Sequence, residues 1–220
     1  MATNSSVYER HTFKSFLSQY HVIIPMVQRD YAQGRTTDDV NRVRSRFLNA
    51  IKPYLTAETV TKVMKLDFVY GEIEKVWSTT VSKQLDRVIV TPLDGQQRLT
   101  TLYLLHWFAA KKESVDESEY SFLNNFSYAI RPSSRDFCKH LIAFSPDFTK
   151  PIGIQIKDQR WFMGEWGEDP TIISMLVMLD AIREVFLDVN DLWQKLTGTE
   201  ERIIFYFLPL TENGLSDKIS

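Results

Sequence analysis

A run rich in Val and Ile, Arg87 to Leu93, stops at Asp94-Gly95, and a helical pattern takes over at once. A strand that feeds a helix through a tight turn forces the helix to pack back on the sheet that holds the strand, so a layered α+β fold is the expectation. β-branched residues favour the strand. The apolar positions Leu99, Leu102, Leu105 and Phe108 recur at helical spacing and predict a core face on a helix running from Asp94 to about Lys112. Asp94 is a residue type that caps a helix by accepting first-turn N–H groups. Gln97, three residues on, completes a capping box, and Gly95 permits the turn itself. These roles leave Gln96 and Arg98 unexplained. A cation in the first turn faces the positive end of the helix dipole, at a cost of roughly 0.3 to 1 kcal/mol. A helix start reached through glycine is also a ready anion site, and a guanidinium there can grip a phosphate with two parallel hydrogen bonds. A phosphate subsite and a purely structural turn both fit these residues.

The rest of the chain divides around this junction. Thr12 to Tyr20 reads as a short helix, Val22 to Ile24 as a buried strand, and Gln28 to Arg35 as a loop. Asp38 to Tyr54 predicts a helix with Val40, Val43, Phe47 and Ile51 inward and Arg42, Arg46 and Asn49 outward. Leu66 to Val76 alternates as a strand, and Ser78 to Leu85 reads as a hairpin loop. Lys111 to Glu119 is charged and reads as a linker. Beyond it, Ser133 to Phe144, Thr171 to Phe186 and Asp188 to Leu196 look helical, with Ser133 to Asp136 as a capping box. Arg202 to Leu210 is an apolar strand that should rejoin the sheet. The expected organisation is a core over residues 1–112 and a mainly helical region over 113–220 whose last strand returns to that core. The sequence ends at Ser220 just as an amphipathic segment begins, which suggests a chain that continues.

Composition narrows the function classes. A chain of 220 residues with 44% hydrophobic and 25% charged residues can bury a core without metal or disulfide support. Cys138 is the one cysteine, which excludes an intrachain disulfide and a four-cysteine zinc site and fits a reducing cytoplasm. A net charge of -2 argues against a protein that coats nucleic acid. Met1 to Arg10 is no signal peptide, and Leu102 to Ala110 is too short to span a bilayer. His11, His21, His106 and His140 lack metal-ligand spacing, and no phosphate loop of the Gly-x4-Gly-Lys-Ser/Thr kind is present. No metal site is predicted. Glu72 and Glu74 share a strand face near Asp67, as a metal-dependent nuclease or a solvated edge would have them. Arg35, Arg42, Arg44 and Arg46 could meet nucleic-acid phosphates or simply face solvent. Trp161, Phe162 and Trp166 read as packing. His106 and Cys138 read as core residues.

A second Gln-Arg pair, Gln28-Arg29, also follows a buried strand. Ile24-Pro25, Gln28-Arg29-Asp30-Tyr31 and Leu93-Asp94-Gly95-Gln96-Gln97-Arg98-Leu99-Thr100-Thr101-Leu102 occur in an order and spacing that resemble the domain family at the N-terminus of GmrSD-type modification-dependent restriction systems. Arg131 to Cys138 and Phe205 to Ile219 extend the resemblance along nearly the whole chain. It implies a mixed sheet core like that of ParB and sulfiredoxin, with a nucleotide bound and hydrolysed, with magnesium, to control DNA cleavage in phage defence. It puts phosphate and nucleotide binding on Gln28, Arg29, Tyr31, Gly95, Gln96, Gln97, Arg98 and Thr101, and catalysis on Asp94, Gln97 and Arg98. Two departures stand out. Val27 and Gln33 occupy positions where many members carry aromatics. The Asn-and-Gly motif that follows the last strand, and the His-Asn-His nuclease domain through which members reach DNA, are not in this sequence. A DNA-binding or nicking module using the Arg35 to Arg46 face, and a non-catalytic partner-docking domain, are the alternatives.

Overall fold

The computed structural model describes residues 8–25, 38–77, 85–129 and 132–210. The elements in chain order are β1 (Glu9–His11), α1 (Phe13–Gln19), β2 (His21–Ile24), α2 (Asp38–Thr56), β3 (Met64–Lys65), β4 (Val69–Trp77), β5 (Leu85–Asp94), α3 (Gln96–Lys112) and α4 (Glu117–Tyr120). Then come β6 (Phe126–Tyr128), α5 (Pro132–Ala143), α6 (Ile152–Lys157), α7 (Pro170–Phe186), α8 (Leu192–Thr197) and β7 (Ile203–Leu210). The fold is α+β. Its strands form one mixed sheet in the order β1-β7-β4-β5-β2-β6, with β3 also on β7. β4 and β5 run antiparallel, with Trp77 opposite Leu85. β5 and β6 both lie parallel to β2.

The last strand enters the sheet interior. β7 pairs antiparallel with β1 and parallel with β4. Its buried residues Phe205 and Phe207 meet Phe16 of α1 at ring-centroid distances of 5.1 Å each. β6, from the other side of residue 112, pairs with β2. One hydrophobic cluster accordingly runs from Phe13 to Phe207 across both parts of the chain.

α3 is the central helix. Every residue from Leu99 to Ala110 is buried, not the single face that the periodicity predicted. A helix apolar on all sides has neighbours on all sides: here α1, α7 and α8 pack against it. Two of its buried side chains bond to the α5 backbone, Trp107 Nε1 donating to the Leu141 carbonyl at 2.7 Å and Tyr103 Oη to that of Cys138 at 3.3 Å.

The presumed linker is stitched down. Glu113 accepts the backbone N–H groups of Leu192 and Trp193 at 2.6 and 3.1 Å, capping α8 from another part of the chain. Lys111 donates to Tyr120 Oη at 2.8 Å. The capping box read at Ser133 to Asp136 is also corrected. Pro132 starts α5, and the Ser133 and Ser134 hydroxyls donate to Asp169 at 2.6 and 3.3 Å. Asp169 itself caps α7 through the N–H groups of Thr171 and Ile172.

Candidate nucleotide-binding site

β5 ends on Asp94, and Gly95 turns the chain into α3 with φ at 86°. That left-handed conformation costs an L-residue about 1 to 2 kcal/mol. Space demands glycine as well: a Cβ here would stand 2.8 Å from Val69 Cγ2 on β4. The helix therefore starts one residue later than the sequence indicated. Gly95, not Asp94, is the N-cap, and it offers no side chain to the first turn. The expected Asp94–Gln97 capping box does not form, because Arg98 rather than Gln97 stands at the third helical position. No acidic residue occupies the first turn.

Arg98 lies across the junction. Its Nη1 is 3.0 Å from Asp67 Oδ2, its Nη2 donates to the Phe68 carbonyl at 2.6 Å, and Nη2 is 3.8 Å from Asp94 Oδ2. The guanidinium thus ties the start of α3 to the segment entering β4. Asp67 is 91% exposed and Asp94 71%, whereas Arg98 is 19% exposed. The arginine is held under two carboxylates that reach into solvent. Its Nε is shielded from solvent and has no acceptor among the described residues. The pairing with Asp67 spans 31 residues and left no local trace in the sequence, where Asp67 stood out only as an acid near Glu72.

The neighbouring polar residues serve the turn. Gln96 Nε2 donates to the Pro92 carbonyl at 2.8 Å, which accounts for a residue the sequence left open. Thr101, buried, donates to the Gln97 carbonyl at 2.9 Å. Thr100 donates to the Gln96 carbonyl at 3.0 Å, and its Oγ1 is 3.0 Å from Tyr128 Oη on β6. Gln28, Arg29 and Tyr31 lie outside the described residues. Asp94, Gly95, Gln96, Gln97, Arg98 and Thr101 occupy one strand end and the first two turns of α3.

Other candidates resolve into structure. Glu72 and Glu74 are exposed on β4, and no cluster of three or more His, Cys, Asp or Glu side chains suited to a metal ion occurs among the described residues. Trp166 is buried, and Trp161 stacks on His140 at 5.1 Å, so the aromatic group packs. Cys138 is buried and its thiol is pushed up to about 12 by that burial, the state of an inert core thiol. His106 is buried with Nδ1 2.8 Å from the Leu102 carbonyl. Its Nε2 has no hydrogen-bond partner among the described residues. Burial lowers its pKa to about 4. Arg46 is exposed on α2, while Arg35 and the Arg42 side chain fall outside the described residues. Among the described residues no helix is long and apolar enough to cross a membrane.

The chain matches the family model described as the GmrSD restriction endonuclease, N-terminal domain, over residues 13–214. No curated protein matches it. The match takes in α1 to β7 and the whole of the β5–α3 junction. This chain belongs to the GmrSD restriction endonuclease N-terminal domain family, and through it to the components of restriction systems.

Proposed function

We propose that this chain binds a nucleoside triphosphate at the β5–α3 junction and hydrolyses it, as a regulatory module of a bacterial anti-phage restriction system working in the cytoplasm. The observation that carries this reading is the junction itself. A glycine N-cap without a capping side chain, no acid in the first turn, and an arginine at the third helical position form an anion-binding arrangement. The shielded Nε of Arg98, without an acceptor among the described residues, supports it, because a buried donor without an acceptor costs about 1 to 3 kcal/mol.

Asp67 and Asp94 hold Arg98 from the solvent side. Exposed ion pairs of that kind are worth about 0 to 1 kcal/mol. A charge-assisted hydrogen bond to phosphate contributes about 1.5 to 3 kcal/mol. Phosphate, with more charge than a carboxylate and the helix N-terminus behind it, competes for the guanidinium, and the carboxylates it displaces are oxygen donors of the class that takes magnesium together with substrate phosphates. Magnesium there would neutralise phosphate charge. Arg98 then stabilises the charge developing on the transferred group, while Gln97 and Asp94 orient the attacking water. By the family resemblance, Gln28, Arg29 and Tyr31 would bind the same nucleotide as Gly95 and Gln96, with Thr101 supporting the turn from the core. In this reading residues 1–112 carry the ParB/sulfiredoxin-like core and residues 113–220 add helices and the strands β6 and β7 to its sheet, while DNA is reached through a nuclease domain of the system.

Release of inorganic phosphate from each of the four nucleoside triphosphates, with magnesium, tests the chemistry. The chain should turn over at least one of them, and Arg98→Ala should lower kcat by roughly 100- to 1,000-fold, the range for loss of one charge-stabilising donor. An unchanged kcat in that variant would remove Arg98 from the reaction.

A further inference from the structure

Four aromatic rings gather on the surface around Phe68, whose backbone carbonyl Arg98 holds. Tyr8 and Phe68 are 45% and 38% exposed, and Tyr70 and Tyr206 are partly so. Phe68 is the hub, with ring centroids 5.9 Å from Tyr8, 6.0 Å from Tyr70 and 5.5 Å from Tyr206. Tyr8 and Tyr206 are 5.2 Å apart. The register shows why they meet. Tyr70 of β4 lies opposite Leu208 of β7, and β4 and β7 turn Val69 and Phe207 to the buried face. The intervening positions, Tyr70 and Tyr206, emerge on the other face of the sheet.

We infer that this cluster is a stacking platform for the nucleobase of the nucleotide proposed above, an inference that rests on the phosphate reading of the β5–α3 junction. The cluster is continuous with that junction. The Phe68 carbonyl is bonded to Arg98, Asp67 beside it pairs with the same guanidinium, and Tyr70 faces Asp94 across the β4–β5 ladder. One ribose joins base to phosphates, so the base of a nucleotide anchored on Arg98 lies within reach of the exposed ring of Phe68. Aromatic rings accept any base through its π-face. The platform therefore supplies affinity for nucleosides in general rather than choice among bases. A nucleotide uses both features, its base on the rings and its phosphates on the adjacent guanidinium.

Binding of each nucleoside triphosphate and of inorganic tripolyphosphate, both with magnesium, should be compared by titration calorimetry on the 220-residue chain, on Phe68→Ala and on Phe68→Trp. The chain should bind a nucleoside triphosphate more tightly than tripolyphosphate. F68A should weaken the nucleotide by roughly 5- to 150-fold, the range for one stacked base, and leave tripolyphosphate unchanged. F68W should restore nucleotide binding, which a folding defect would not. If F68A leaves the nucleotide unaffected, or weakens both ligands alike, the platform is overturned while the phosphate site stands. If neither ligand binds the chain, the phosphate reading fails and this inference falls with it.

Discussion

Arg98 stands where the dipole of α3 disfavours a cation, and the residues around it show how that cost is met. Asp67 and Asp94 place negative charge on the guanidinium, and the Phe68 carbonyl accepts from it. Charge balance alone is thus a sufficient reason for an arginine at this position. What it does not explain is the Nε, which has no acceptor among the described residues. His106 gives a second residue-scale consequence. Burial lowers its pKa to about 4, with Lys14 adding to the effect and Lys195 lining the same small cavity. The folded state keeps it neutral, while the unfolded chain protonates near the ordinary value of about 6.5. Stability should be full above pH 6.5 and fall as pH drops toward 4, by on the order of 3 kcal/mol from this group. His106→Leu should flatten that part of the profile in urea titrations between pH 4 and 7, and an unchanged slope would contradict a neutral buried ring. The identities of Asp94, Gly95, Gln97 and Arg98 were legible in the sequence. Their offsets were not, because glycine in the left-handed conformation took the cap and moved each role by one position.

Elements held by their own periodicity were read nearly to their ends. α2, α7 and β7 differ from the expected spans by one or two residues at a terminus. β1, β3 and β6, of two or three residues each, were not read, since strands so short carry no period and exist through pairing with β7 or β2. Caps supplied from a distance were equally invisible. Glu113 caps α8 across 79 residues of chain, and Asp169 joins α7 to α5. Because Asp169 serves two helices, Asp169→Ala should cost more than an ordinary cap, about 1 to 3 kcal/mol in chemical denaturation, whereas Asp169→Asn should keep most of the stability. Equal stability of D169A and the parent chain would mean that neither helix depends on it.

At the scale of the molecule, the two parts expected on either side of residue 112 share one sheet and one core. β7 must insert between β1 and β4 before the sheet is complete, and β6 must find β2. The arrangement buries α3 from Leu99 to Ala110 and leaves its two ends part-exposed, with Arg98 at the N-terminal one. A returning strand was legible from the apolar run at 203–210, but its neighbours were not, since pairing is set by the whole sheet. The family match makes the chain a restriction-system domain, and the nucleotide proposed to control it is assigned to the junction at Gly95. Thermal unfolding with each nucleoside triphosphate and magnesium, beside an Arg98→Ala variant shown to be folded by circular dichroism, tests this most directly. A ligand at a hundredfold its dissociation constant adds about 2.7 kcal/mol, which for a chain of this length raises Tm by roughly 5 to 10 °C. The account predicts that rise for the parent chain and its loss in R98A; no rise with any nucleotide, or an equal rise in R98A, would contradict it.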